Sequence, residues 1–283
     1  MKIGIIGIGL IGGSLAIELK KTFKGVKVFG HDSSQTNLKL SLDTDLIDGI
    51  IYKKDYKDLD VIFVTVPVKE ISKQLPEILD LVSSKTLVVD FGSTKVNICK
   101  AVSNHPKRSQ FLATHPIAGT EFSGPLASKE NLFKGKVQII CESKKTNPIH
   151  LSWAKEWFKT IGMIIKEMTP IDHDKHIAYV SHLSHISSII LGQTVLEKEK
   201  DESAIFAMAG SGFASTVRLA KSSPDTWSSI FEENEKNILE TLNHFLSNLE
   251  KFKSLLEKKK YKNIHKVIER TNSIKGILKE IKN

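Results

Sequence analysis

The chain has 283 residues, 40% of them hydrophobic, with 41 Lys+Arg against 32 Asp+Glu and a formal charge of +9. That apolar content excludes a disordered chain, and the length suits one large or two modest domains. Two cysteines, Cys99 and Cys141, are too few for a disulfide framework and form no C-x-x-C pair; with no signal peptide and no transmembrane run, a cytoplasmic location is expected.

The first half alternates short apolar runs with helical spacing. Lys2–Ile6, Val26–Gly30, Val61–Val66, Leu87–Asp90 and Val137–Ile140 read as buried strands, rich in Val and Ile and bounded by Gly, Asp or Pro. Met163–Met168 is a candidate last strand. Leu10–Lys20 and Ile71–Val82 carry helical periodicity between them. This alternation predicts a doubly wound parallel sheet. After Pro170 long helical segments follow, with turn signals at Gly210-Ser211-Gly212 and Ser222-Ser223-Pro224. From Ile238 an apolar stripe runs through Leu242, Phe245, Leu249, Phe252 and Leu256, in alternating steps of four and three. Such a seam must bury against something, and a second copy of the chain is the expected partner. The expected organisation is therefore a Rossmann-type nucleotide domain over 1–168 and an all-helical domain over 169–283 that forms a homodimer. The basic excess around Lys258-Lys259-Lys260 and Lys262 lacks interleaved aromatics, so it reads as a solvated helical face and not as a nucleic-acid or membrane surface.

Gly7-Ile8-Gly9-Leu10-Ile11-Gly12 is G-x-G-x-x-G, placed after a strand and opening a helix, the context a dinucleotide site requires. Gly7 permits the turn, Gly9 lets the backbone approach a pyrophosphate, and Gly12 allows close helix–strand packing. Asp32 follows Gly12 by twenty residues, where an acid binds ribose hydroxyls. With no Arg in Ser33-Ser34-Gln35, the cofactor is expected to be NAD and not NADP. The competing reading of Asp32 is a helix cap. Thr65-Val66-Pro67 ends a strand on the cofactor side and is assigned to the nucleotide wall.

Chemistry must come from outside that fold. Four further segments carry candidates: Asp90-Phe91-Gly92-Ser93-Thr94-Lys95; Thr114-His115-Pro116-Ile117-Ala118-Gly119-Thr120-Glu121; Ser181-His182-Leu183-Ser184-His185; and Val217-Arg218-Leu219-Ala220-Lys221, followed by Trp227. In this order they resemble the prephenate/arogenate dehydrogenase family over about residues 1–257. H-P-I-A-G together with S-H-L-x-H is the specific part. The resemblance implies an NAD-dependent oxidative decarboxylation of prephenate in tyrosine biosynthesis. It assigns His115 to the substrate's ring hydroxyl as proton acceptor, Ser93 to the same hydroxyl and the nicotinamide, and Arg218 to a substrate carboxylate. It places His185, Thr120, Glu121 and Trp227 in the substrate pocket, with His182 there as an orienter. No metal is required.

Each residue also has a plainer reading. His182 and His185, with His173 and His176, could be zinc ligands. Arg218 could be a surface ion-pair partner, and Trp227 plain core. Two positions depart from the family: Ser184 stands where proline is frequent, and Ser215 where many members carry an acid three residues before the arginine. Neither a fused N-terminal mutase nor a C-terminal regulatory domain is expected. The rivals are an arogenate dehydrogenase, another Rossmann-plus-helical reductase, and an NAD-binding regulator without activity.

Overall fold

A computed structural model describes residues 1–202 and 204–281. Its centre is an eight-stranded sheet: β1 (Lys2–Ile6), β2 (Lys27–His31), β3 (Gly49–Ile50), β4 (Val61–Val64), β5 (Leu87–Asp90), β6 (Phe111–Pro116), β7 (Val137–Cys141) and β8 (Ile164–Met168), in the order 3-2-1-4-5-6-7-8. β1 lies between β2 and β4, pairing Ile3 with both Val28 and Val61. The order therefore reverses beside β1, and the crevice at its carboxyl end is where such sheets take ligands. The sheet is not wholly parallel. β7 runs antiparallel to β6, with His115 opposite Ile139. No helical crossover joins these two strands, only a long loop, and an antiparallel partner needs none. β3, two residues long, offered no periodicity to read.

Helices cover both faces. α1 (Leu10–Thr22) and α2 (Gln35–Asp43) follow the first two strands; α3 (Val68–Leu81) and α4 (Val96–Ala101) follow β4 and β5; α5 (Pro148–Thr160) precedes β8. Because alternate strand residues point to opposite faces, Ile3, Ile5, Phe63 and Val89 join Leu15, Leu19, Trp157 and Phe158 in one core. Ile62, Val64 and Val88 join Ile71, Leu75, Ile78 and Leu79 in the other. β1 and β4 are apolar on both faces, as a doubly covered strand must be.

From Pro170 onward the described residues hold helices and turns and no strand: α6 (Pro170–Ile177), a π-helical turn (Ala178–His182), α7 (Leu183–Asp201), α8 (Ser211–Thr216), α9 (Pro224–Glu233), α10 (Glu235–Glu257), α11 (Tyr261–Thr271) and α12 (Ile274–Ile281). α5, α6 and α9 start alike. Asn147, Thr169 and Ser223 cap with their side chains, and Pro occupies the next position, where its missing N–H costs nothing.

By packing, the chain forms two units, Met1–Glu235 and Lys236–Asn283. The first includes α6 to α9, which are fastened to the nucleotide domain. Asp174 accepts from the N–H groups of Lys95 and Val96, the Lys69 N–H donates to Ser229 Oγ, and Asn97 Nδ2 donates to Glu233 Oε2. In the second unit α10 carries the whole Ile238–Leu256 stripe. Lys258, Lys259 and Lys260 form the exposed turn after α10, not a helical face. Lys259 takes a left-handed φ of 51°, and the Lys260 N–H closes on Leu255 O at 2.9 Å.

Candidate active site

A cavity of about 660 Å³ opens at the carboxyl edge of the sheet. Its floor is the turn between β1 and α1. Gly7 has φ +98°, and a Cβ there would fall 2.8 Å from the Val66 side chain. A Cβ on Gly9 would meet nothing within 4 Å, so the backbone there borders open space. No side chain caps α1, which leaves its first N–H groups for an anion. Gly12 is not on the wall. A Cβ on it would lie 2.1 Å from Gly7 O, so its bareness serves the packing of α1 on the turn.

Gly7, Gly9, Leu10, Ile11, Asp32, Thr65, Val66 and Pro67 all line this cavity. Asp32 accepts from the Ile8 N–H (2.8 Å) and the Ser34 N–H (2.8 Å), tying the end of β2 to the Gly-rich turn. It does not cap α2; Ser34 does, accepting from the Asn37 N–H. Thr65 Oγ1 donates to Gly7 O at 2.6 Å. The donor set fits a dinucleotide: an uncapped helix N-terminus for the pyrophosphate, a carboxylate for a ribose, and an open cradle at Gly9.

The far wall includes Gly92, Ser93, Ala118, Thr120, Glu121 and Trp227. Loop 117–136 is pinned to α1, where Ser14 Oγ accepts from the Lys129 N–H and the buried Glu18 accepts from the Asn131 N–H. His115, His182, His185 and Arg218 are not on the wall. The β5–β6 register pairs Asp90 with Ala113. His115 stands two residues further along β6, three before Ala118, where the same segment begins to line the cavity.

His115 is buried, and its Nδ1 lies 2.8 Å from His173 Nε2. His173 Nδ1 lies 2.7 Å from Asp174 Oδ1. Burial, then His173, Lys95 and His182, hold the His115 pKa well below the ordinary imidazole value. The ring is therefore neutral at neutral pH. His182 is pushed down to about 4 by burial. Its Nδ1 faces Asn234 Nδ2 at 3.2 Å, and Asn234 also donates to Asp174 O. His185 stacks on Trp227, ring centroids 3.3 Å apart, and its Nδ1 donates to Ser181 O. Each histidine of the supposed zinc set except the exposed His176 has a ring or hydrogen-bond partner of its own. Trp227 is both packed and on the cavity wall.

The π-helical turn aims this part of the chain. The Leu183 N–H closes on Ala178 O, five residues back. One extra residue per turn rotates the segment before α7 by about 100° relative to an uninterrupted helix. Arg218 is half-exposed and donates to Glu121 Oε2 at 3.0 Å. Glu121's own N–H and then Arg218 hold its carboxyl below the usual range. The carboxylate paired with Arg218 thus comes from loop 117–136, while Ser215 bonds its own helix at Gly212 O.

Five residues form the scaffold of the site: Asp90 and Lys95, which the sequence showed only as the ends of a candidate segment, His173, which it offered only as a zinc ligand, and Asp174 and Asn234, which it did not mark. Lys95 is fully buried, paired with Asp90 and donating to Thr114 O at 2.6 Å. The D-x-G-S-x-K spacing was the visible signal, because a buried lysine five residues after a strand-end aspartate closes the loop that presents Ser93. Nothing in the sequence linked His173 to His115.

A family model described as "Prephenate dehydrogenase, nucleotide-binding domain" matches residues 15–167, and one described as "Prephenate dehydrogenase, dimerization domain" matches residues 169–270. Prephenate dehydrogenase of Bacillus subtilis (strain 168) is 29% identical over 266 residues, covering 92% of this chain and 71% of that one. The crystal structure of prephenate dehydrogenase from A. aeolicus in complex with hydroxyphenyl propionate and NAD+ superposes with a TM-score of 0.90 at 28% identity, covering 98% of each chain. That of Synechocystis arogenate dehydrogenase gives 0.77 at 26% identity, covering 98% of this chain and 100% of that one.

Proposed function

This chain belongs to the prephenate dehydrogenase family, and we propose that it oxidises prephenate, in preference to arogenate, with NAD+, releasing carbon dioxide and 4-hydroxyphenylpyruvate. The observation that carries the reading is a neutral, buried His115 in the strand that leads into the cavity-lining segment from Ala118 to Gly124. When bound, the nicotinamide supplies the acceptor for the hydride leaving C4. His115 takes the hydroxyl proton as the hydride leaves C4, which makes C4–O a carbonyl; loss of the ring carboxylate as carbon dioxide then sends its electron pair through the ring to that oxygen, which takes a proton back as the phenol and leaves the ring aromatic. A base is useful here only if it is unprotonated beforehand, which burial secures. Ser93, on the cavity wall, hydrogen-bonds the same hydroxyl. Thr120, Glu121, Trp227 and His185 shape the pocket, and His182 holds its place behind them. The domains act as 1–168 and 169–283. The two free, buried cysteines support a cytoplasmic setting, and no helix among the described residues is long and apolar enough to cross a membrane.

The test is NADH formation from prephenate and from arogenate, with NAD+ and NADP+ compared for each. Prephenate with NAD+ should give the highest kcat/KM. A preference for arogenate would overturn the substrate assignment, and one for NADP+ the role of Asp32.

Arg218 binds a substrate carboxylate with its planar fork of donors, and Glu121 holds that fork in place until substrate arrives. Arg218→Gln should raise KM for prephenate by about 10–100-fold while kcat falls far less, the pattern of binding shared by ground and transition states. An unchanged KM would remove Arg218 from the site.

The helical domain forms a homodimer. In support, Leu249, Phe252 and Leu256 of the α10 stripe are 50%, 37% and 49% exposed in the single chain, an apolar row that water disfavours. Sedimentation should show a dimer at micromolar concentration, and Leu249→Glu should dissociate it. A stable wild-type monomer would contradict this.

A further inference from the structure

We propose that His173, anchored by Asp174, is a positioning residue that holds His115 in the tautomer with its proton on Nδ1, so that Nε2 is the one basic nitrogen His115 presents to substrate. The inference rests on the reading of His115 as the proton acceptor and extends it to residues that touch neither substrate nor cofactor.

The chain of hydrogen bonds fixes each proton in turn. Asp174 sits at the N-terminus of α4, where Oδ1 accepts from the Lys95 N–H at 2.7 Å and Oδ2 from the Val96 N–H at 2.8 Å. Both carboxylate oxygens already accept a backbone N–H, so Asp174 meets His173 as an acceptor. His173 Nδ1, 2.7 Å from Asp174 Oδ1, must therefore be the donor. His173 is 2% exposed, and its burial, opposed by Asp174, lowers its pKa. A neutral ring that carries its proton on Nδ1 has a bare lone pair on Nε2. That lone pair faces His115 Nδ1 at 2.8 Å, and two lone pairs cannot face each other at that distance. The proton between the rings belongs to His115 Nδ1. His115 is neutral as well, so its Nε2 is unprotonated and free to accept.

The surrounding charges act in the same direction. Lys95 from the β5–α4 segment raises the cost of a second proton on either ring. Asp90 favours a charged His173, but it is paired with Lys95. His182, from the π-helical turn, is itself neutral and accepts from Asn234. When His115 Nε2 takes the hydroxyl proton, its ring becomes an imidazolium. The positive charge then lies one ring away from Asp174, which stabilises it without any proton leaving Asp174's neighbours. The nearest general precedent is a carboxylate that orients a catalytic histidine, here acting through an intervening imidazole.

The test uses the whole chain labelled with ¹⁵N-histidine, with long-range ¹H–¹⁵N spectra reporting which ring nitrogen of His115 carries the proton. His115 is assigned by the signals lost in His115→Asn. The expected result is a pyrrole-type Nδ1 and a pyridine-type Nε2. A pyrrole-type Nε2 in the wild type would overturn the proposal, whatever the enzyme's substrate. His173→Asn retains a donor to Asp174 but cannot reach His115. It should lower kcat by about 10–100-fold, a smaller loss than when the group that orients the base is a carboxylate, and leave the KM for NAD+ unchanged. The His115 signals should move toward the other tautomer. His173→Gln offers an acceptor near the former Nε2 and should recover most of the rate. Asp174→Asn would present a donor where His173 needs an acceptor, but it also perturbs the start of α4, so the His173 pair decides. Equal turnover in wild type and His173→Asn, with unchanged His115 signals, would refute the positioning role. Normal turnover in His115→Asn would instead refute the reading of the base itself.

Discussion

His115→Asn should lower kcat by about 10²–10⁴-fold, the range for loss of a general base, while NAD+ affinity changes little. Asparagine can still hydrogen-bond the substrate hydroxyl but cannot take its proton. In the wild type kcat should fall on the acid side as His115 becomes protonated. Because burial, His173, Lys95 and His182 all lower its pKa, the fall should begin below the ordinary imidazole value of about 6.5. At neutral pH the rate should be on its plateau. The acid limb should vanish in the variant along with most of the rate. An acid limb that survives unchanged in His115→Asn would move the base elsewhere, and His185, partly buried beside Trp227, would be the first candidate.

Lys95→Met should destabilise the fold by about 3–5 kcal/mol, the cost of leaving one member of a buried ion pair without its partner. Both side chains are fully buried, and Lys95 also donates to Thr114 O in the strand that carries His115. The variant strands the Asp90 carboxylate between the Thr114 and Gly92 N–H groups. Burial, the largest influence, already raises the Asp90 pKa, and Lys95 opposes it. Without Lys95 the folded-state pKa rises further above the unfolded one. Stability linked to such a group is present below the unfolded pKa and lost as pH rises. The deficit of Lys95→Met against wild type should therefore be greatest near neutrality and narrow toward pH 4. Adding Asp90→Asn should recover part of it. Urea unfolding at two pH values measures both effects. A deficit under about 1 kcal/mol, within the range of an exposed pair, would show that the pair does not hold the Ser93 loop.

Local rules were enough for much of this protein. G-x-G-x-x-G after a strand is legible locally because Gly7 turns the chain with a φ of +98° and Gly12 packs on Gly7 O, although the Val66 side chain facing Gly7 comes from far along the chain. The strands β1, β4 and β5 announced themselves because a doubly covered strand must be apolar throughout. The helix starts at Asn147, Thr169 and Ser223 rest on local cap-then-proline pairs, of which the sequence reading marked Ser223-Pro224 only as a turn. His115, Ser93, Arg218 and Glu121 could be picked out as candidates because they sit in recognisable short motifs. Their partners could not. His173 meets His115 across 58 positions, Asp174 meets Lys95 across 79, and Arg218 meets Glu121 across 97. Periodicity and spacing carry no information over such separations. The antiparallel β7 and the π-helical turn before α7 were likewise invisible, because each depends on what packs beside it and not on local preference. Amino-acid order thus announced the candidate reacting groups, whereas the neutrality of His115, the tautomer proposed for it and the carboxylate on Arg218 depend on burial and on contacts that exist only once the chain has closed around them.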